Sequence, residues 1–342
     1  MTLTQLRYLV AIADSGFDIA MAANAVEAKT SAMSRQVRDL ENELGFELFN
    51  RDGGSLDGIS DAGQEVVSYA RRALEETRNI DTYAASKRGD RTGRLRLSTS
   101  HMLARYVLPS AIAAVNAAFP QVRIDLQPAA DVDVLQRLGH SDFDLGFVST
   151  AGPRPPGKIV VPLFQWKRVI LVPSWHALAV RTVPLSMAEL AAHPLVIYES
   201  SEHSDSSLRA PFVREGLQPR VAVSARDASL IEVYVRAGLG AGVIAEMALG
   251  AAEIPNLRAV AAPIALALCT TWAVLPTGRV TRDYILALLQ SVAPQLDRRD
   301  LIESFEGQRE PNWPTPPIWP HLHRPISNGN SVANVYTSRL AW

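Results

Sequence analysis

Two sets of side chains in this 342-residue sequence have types and spacings that can do chemistry. The first is Ser34, Arg35 and Arg38, within the run SAMSRQVRDLENEL (31–44). Met33, Val37, Leu40 and Leu44 recur there at spacings of 4, 3 and 4. They form one apolar helix face and leave Ser31, Ser34, Arg35 and Arg38 mostly on the other. In a major groove a guanidinium bonds a guanine edge through two N–H groups, and a serine hydroxyl bonds base edges or phosphates. An ordinary amphipathic helix with a solvated face shows the same pattern. The second set is hydroxyl groups at the ends of β-like runs: Ser98-Thr99-Ser100, Ser149-Thr150, and Ser200, Ser201 and Ser204 around His203. At strand-to-helix junctions, hydroxyls and unpaired N–H groups hold an anion without a full positive charge. Each of these residues could equally be a plain helix cap.

The elements that must position the first set are short. Leu3, Leu6, Val10 and Ala13 give a first helix. Residues 19–26 (IAMAANAV) give a second whose small side chains permit a close crossing, and Gly45 suits the end of the third. Leu48 and Phe49 return to the core, and Arg51 to Ile59 reads as a hairpin. Residues 1–58 are thus expected to be a winged helix-turn-helix. Ser60 can cap a helix over 59–88, where Val66, Ala70, Ala73, Thr77, Ile80 and Ala84 repeat at heptad spacing. A helix bridging two modules and stabilised by dimerising is expected there.

The second set needs a larger scaffold. Strands are expected at 93–99, 122–127, 144–148, 168–174, 194–200, 220–225 and 270–276. Helices are expected at 103–118, 131–138, 186–192, 204–216, 227–237 and 281–293. This alternation is α/β, with helices on both faces of a sheet, and ligands in such folds lie where strand ends meet helix N-termini.

Composition narrows the function. The net charge of −1 excludes a polybasic protein but not one small DNA-reading module. The single cysteine, Cys269, excludes an internal disulfide framework and a multi-cysteine zinc site, and it reads as an inert core residue. No apolar run of about 18 residues predicts a membrane helix, and the N-terminus lacks the form of a secretion signal. A soluble cytoplasmic protein without metal or cofactor is expected. No G-x-S-x-G, P-loop or H-E-x-x-H motif points to an enzyme. Within 1–58 the bases are Arg7, Lys29, Arg35, Arg38 and Arg51. The acids are Asp14, Asp18, Glu27, Asp39, Glu41, Glu43, Glu47, Asp52 and Asp57, five against nine for a net of −4. Such a module has reduced non-specific attraction to phosphates. After residue 300, Pro311, Pro314, Pro316, Pro317, Pro320 and Pro325 stand beside Trp313, Trp319 and Trp342, and proline density predicts a disordered tail over 301–342.

On these residues the sequence resembles the LysR-type transcriptional regulators. Residues 34–45 (SRQVRDLENELG), Phe49-Asn50-Arg51 and Asp61-Ala62-Gly63 are similar to that family's recognition helix, wing entry and linker start. Ser100-His101, Ala104-Arg105-Tyr106, Leu108-Pro109, Arg226-Asp227-Ala228 and the stretch Tyr234 to Ala245 resemble its sulfur-assimilation branch, the cysteine-regulon activator (CysB) type. The resemblance spans about residues 1–300.

It implies a periplasmic-binding-protein-like effector domain over 89–300, with subdomain I at 89–162 and 268–300 and subdomain II at 163–267. It implies DNA contacts by Thr30, Ser31, Ser34, Arg35, Arg38 and Arg51, with Thr30-Ser31 in place of the family's common Gln-Pro. It implies effector contacts by Ser100, Met102, Leu103, Ser149, Trp166 and His203. Met102 and Leu103 stand where the branch has threonine and glutamine, and His203 replaces a threonine, so a more apolar or organic acid ligand is expected. The implied partners are promoter DNA, RNA polymerase, a second and further copies of the chain (homodimer or homotetramer), and sulfate, an acetylserine-like compound or an organic sulfur acid. A small-molecule binding protein whose DNA module has decayed is the alternative.

Overall fold

The computed structural model describes residues 1–52, 55–140, 143–202, 206–249, 254–266, 268–278, 280–308 and 311–319. The chain forms two compact units, Met1–Asp90 and a second beginning at Arg91.

The first unit holds α1 (Leu3–Asp14), α2 (Ile19–Ala25), α3 (Thr30–Leu44), the antiparallel pair β1 (Phe49–Asp52) and β2 (Ser55–Ile59), and α4 (Asp61–Lys87). Thr2 and Gln5 cap α1 reciprocally, the Asp18 carboxylate caps α2, and Gly45 ends α3 at φ +82°. Leu6, Leu9, Ile12, Ala22, Met33, Val37, Leu40, Leu48 and Phe49 make one core. Val67, Ala70 and Leu74 of α4 join it. The heptad seam read from the sequence is therefore divided. Ala70 is used inside the unit, and the exposed stripe of α4 runs through Tyr69, Ala73, Ile80 and Tyr83.

The second unit holds, in chain order, β3 (Gly93–Thr99), α5 (His101–Tyr106), α6 (Leu108–Ala118), β4 (Val122–Pro128), α7 (Asp131–Gln136), β5 (Leu145–Thr150), β6 (Ile159–Trp166) and β7 (Arg168–Pro173). There follow α8 (Met187–Ala191), β8 (Leu195–Tyr198), α9 (Arg209–Arg214), β9 (Val221–Ala225), α10 (Ala228–Arg236), β10 (Ala241–Ala245), β11 (Leu257–Ala261), β12 (Cys269–Leu275), α11 (Asp283–Val292) and α12 (Arg298–Phe305). Among the described residues the strands make two sheets, β4-β3-β5-β12-β6 and β11-β7-β10-β8-β9. The βαβ units pair in parallel, while β12 runs antiparallel to its neighbours β5 and β6, and β7 to its neighbours β10 and β11. The mixed sheets with helices fit the expected α/β class.

Three expectations change. The helix expected over 103–118 is two helices: Ser100 caps α5, the chain turns at Val107, and α6 restarts with Pro109 in its first turn, where a missing N–H is not needed. Strands β6, β10 and β11 were not foreseen. The chain passes from the first sheet to the second at Lys167, between β6, which ends at Trp166, and β7, which begins at Arg168. The described part of the expected disordered tail is ordered. Leu301 and Phe305 of α12 are buried, the Gln165 N–H donates to the Pro317 carbonyl at 2.8 Å, and the Trp319 ring lies 4.9 Å from Phe164. Apolar contact outweighs what proline density predicts. Residues 320–342 lie outside the described residues. Among the described residues no helix is long and apolar enough to cross a membrane.

Candidate nucleic-acid interface and effector cleft

Helix α3 presents its chemistry as its sequence period dictates. Met33, Val37 and Leu40 are buried, and Thr30, Ser31, Arg35 and Arg38 are exposed, with Ser34 half-buried beside them. No side chain caps the N-terminus of α3, so its first N–H groups are open to a phosphate. Arg35 reaches Asp39 at only 3.8 Å and remains 81% exposed. A pair that loose leaves the guanidinium usable.

Arg51 stands apart from this set. Its Nη2 donates to Glu41 Oε2 at 2.7 Å, and Glu41 Oε1 accepts the Leu48 and Phe49 N–H groups at 3.0 and 3.3 Å. Glu41 is buried, so this carboxylate ties the wing strand to the recognition helix. Arg51, expected to meet DNA, is engaged in that tie. The partners of Glu41 are set by the return of residues 48–51, which no local pattern in α3 marks. The wing tip, Gly53-Gly54, lies outside the described residues.

Of the residues expected to meet an effector, Ser100, Ser149 and Trp166 lie at the C-terminal ends of β3, β5 and β6 in the first sheet. Ser149 Oγ shares a hydrogen bond with Thr271 Oγ1 at 3.1 Å and accepts one from the Trp166 indole at 3.4 Å. The Ser149 N–H donates to Asp131 Oδ2 at 3.3 Å, from the first turn of α7. Ser100 caps α5 by accepting the Leu103 N–H at 3.4 Å. Met102 is half-buried and packs against the main core, as does the mostly buried Trp166. Leu103 does not offer its side chain to a cleft: it is 1% exposed, within the core. The helix period turns it inward while Ser100 and Met102 remain half-buried. His203 lies outside the described residues.

Three groups here were not read from the sequence. Asp131 Oδ1 has no solvent contact and no hydrogen bond, and burial pushes the carboxyl up to about 7, opposed by the Ser149 N–H. Thr271 comes from β12, 122 residues away in sequence, so no local motif marks it. Arg168, the first residue after the crossing, lies over the Trp166 ring at 5.6 Å. Two buried hydroxyls, Ser98 Oγ and Thr99 Oγ1, have no partner.

A helix-turn-helix with a basic, hydroxyl-rich recognition face, followed by a two-sheet unit with a polar cluster where the sheets join, defines a DNA-binding regulator with a small-molecule sensor. The chain belongs to the LysR family of transcriptional regulators: residues 3–64 match the bacterial regulatory helix-turn-helix protein, lysR family, and residues 88–297 match the LysR substrate binding domain. The HTH-type transcriptional regulator cbl of Escherichia coli is 31% identical over 312 residues, covering 90% of this chain and 98% of that protein. CysB of Burkholderia cenocepacia is 27% identical over 310 residues, covering 91% and 99%. The solved cofactor-binding domain of the Cbl regulator superposes with a TM-score of 0.55 at 30% identity, covering 63% of this chain and 93% of that one. These relatives set the chain in the CysB-like branch.

Proposed function

We propose that this regulator controls genes of sulfur or sulfonate metabolism from the cytoplasm and acts on RNA polymerase as a homodimer or homotetramer. Its effector is sulfate, an acetylserine-like compound or an organic sulfur acid. The observation that carries this is the hydrogen-bonded cluster of Ser149, Thr271 and Trp166 at the junction of the sheets, in a chain similar to Cbl and CysB. In this reading Thr30, Ser31, Ser34, Arg35 and Arg38 bind the DNA, and Ser100, Met102, Ser149, Trp166 and His203 bind the effector.

The mechanism is a population shift. A ligand favouring one closure of the cleft biases the assembly, and with it DNA bending, only as far as it binds the two states unequally. The protein is a binding module with no catalytic role. Calorimetry on the full chain with sulfate, acetylserines and organic sulfur acids, paired with footprinting on promoters of sulfur genes, tests the reading. Footprints that respond to the bound acid support it, and absence of both rejects it.

A second reading, a ligand-binding protein whose DNA module has decayed, is favoured by the −4 charge of residues 1–58 and by the engagement of Arg51 with Glu41. Tight ligand binding with no DNA protection supports it.

A further inference from the structure

Each sheet of the sensor lends side chains to the core of the other. Ala245 ends β10 in the second sheet, and Met247 lies in the helical turn Glu246–Leu249 that follows. Both are buried in the core of the first sheet, with Leu103, Val107 and Trp166. In return Tyr106, the last residue of α5, packs against the second sheet's core of Val196, Ile231, Val235 and Ile244 as well as against its own. Helix α5 lies along the turn Glu246–Leu249. Burial pushes the Tyr198 hydroxyl up at the end of β8, the Ala245 backbone opposes this, and Tyr106 adds to it. Burial likewise raises the Glu232 carboxyl on α10, opposed by Arg236 and by Arg105 of α5. Two neighbouring residues of α5 thus address the second sheet and its helix.

The exchange lies beside the crossing. The Lys167 N–H donates to Glu246 Oε1 at 2.8 Å, and the Glu246 N–H donates to the Lys167 carbonyl at 2.9 Å. The residue between the sheets is therefore tied to the turn that carries Met247. At its other end α5 is capped by Ser100, whose hydroxyl accepts the Leu103 N–H. Six residues of helix span about 9 Å, a short stiff rod between Ser100 and the Tyr106 seat. Close-packed cores of this kind shift between discrete arrangements and do not deform continuously.

We propose that Tyr106 is the positioning residue of the sensor: its ring, carried by α5 from the first core to the second, sets the relative placement of the two sheets, and α5 passes a change at Ser100 to that seat. The transmission half rests on the placement of Ser100 among the effector contacts given above. The interlock half rests only on the packing of Tyr106 and Met247.

The test is double electron–electron resonance on the full chain with nitroxide labels at Ala113→Cys on α6 and Val213→Cys on α9, exposed positions on the two halves. Dilution with unlabelled chain confines the signal to distances within one copy, and Cys269 is buried away from the label. Wild type and Tyr106→Phe, which keeps the ring, are expected to give one narrow distribution. Tyr106→Ala and, from the other side, Met247→Ala are expected to widen it roughly twofold or to split it. A residue that only supports its own core lowers the melting temperature and leaves the distribution as it was. On wild type, hydrogen exchange of residues 103–107 and 245–248 is expected to show one shared opening, a measurement that needs no variant to fold. Sulfate, N-acetylserine and ethanesulfonate are then titrated, with binding followed by calorimetry. A probe that binds is expected to move the wild-type distribution and to leave that of Tyr106→Ala in place. Unchanged distributions in both alanine variants, independent opening of the two segments in wild type, or a probe that moves Tyr106→Ala as far as wild type overturns the proposal. If none of the three probes binds wild type, the effector reading falls, and the ligand-free distributions still decide the role of Tyr106.

Discussion

Arg51 and Glu41 form an ion pair, Nη2 to Oε2 at 2.7 Å, that hangs the first wing strand from the recognition helix. The carboxylate also accepts two backbone N–H groups, so Glu41→Ala leaves three donors without their acceptor and costs about 3–5 kcal/mol. Arg51→Ala is expected to lower the melting temperature together with DNA affinity. Arg38→Ala is expected to leave the melting temperature unchanged and weaken promoter binding by about 1–3 kcal/mol. Thermal melts run beside gel shifts at fixed salt separate the two outcomes, and an unchanged melt for Arg51→Ala contradicts the assignment.

Gly63 sits where α4 begins. A Cβ there meets the Leu48 carbonyl oxygen at 2.0 Å, backbone that cannot step aside. Gly63→Ala is therefore expected to force α4 off the core, at a cost of about 1–3 kcal/mol or more. Denaturant titration of residues 1–90 within the full chain, followed by a probe in that unit, reads the shift.

The exposed stripe Tyr69, Ala73, Ile80 and Tyr83 on α4 is apolar and lies apart from the packed stripe Val67, Ala70 and Leu74. If the proposed dimer uses it, Ile80→Asp moves the chain toward monomer in sedimentation, with little change in the melting of the first unit. A dimer of unchanged dissociation constant in this variant argues that another face assembles.

Asp131 should make stability depend on pH. Its folded-state value is about 7 against an ordinary 3.8, so between those values the folded chain holds a proton the unfolded chain has released. This group's contribution therefore falls as pH rises from about 4 to about 7, and it stays at the lower level above that range. Asp131→Asn keeps an acceptor for the Ser149 N–H and removes the charge. It is expected to be more stable than wild type at pH 8, with the gap closing toward pH 4. Parallel melts across that range decide it.

Trp319 packs on Phe164 beside the Gln165–Pro317 hydrogen bond. Trp319→Ala should lower stability by about 1–3 kcal/mol. A chain ending at residue 308 should lose at least as much and expose Phe164 to a fluorescence or dye probe. Unchanged melting in both denies the segment a structural role.

What the sequence could and could not disclose follows from how local each signal is. Helix α3 was readable because Met33, Val37 and Leu40 keep the helical period and Gly45 ends it. The β/α alternation was readable for the strands flanked by clear turns. Strand β6 was hidden because it carries Pro162, which an edge strand tolerates and a sequence reader counts against it. Strand β10 follows a glycine-rich turn that reads as loop. The cluster is the extreme case: Ser100 and Ser149 were visible at strand exits. Thr271 reaches it through the pairing of β12 with β5, 122 residues from Ser149, and Asp131 from α7, 18 residues before Ser149, separations that periodicity cannot see.

The docked C-terminal segment has one more consequence. An outer strand such as β6 offers a row of unused N–H and C=O groups on which another chain can build. Here the chain's own end occupies part of that row, and the occupant is rich in residues that cannot donate: Pro314, Pro316 and Pro317 precede the bridge at Ile318. A further strand arriving there finds few donors to pair with. At the opposite border of the same sheet, β4 carries Arg123 and Asp125, with Arg94 paired to Asp125 from β3, and charge repels addition on that side. The prolines that argue against order in the sequence thus give the sensor sheet a closed border, a safeguard against chain-to-chain growth.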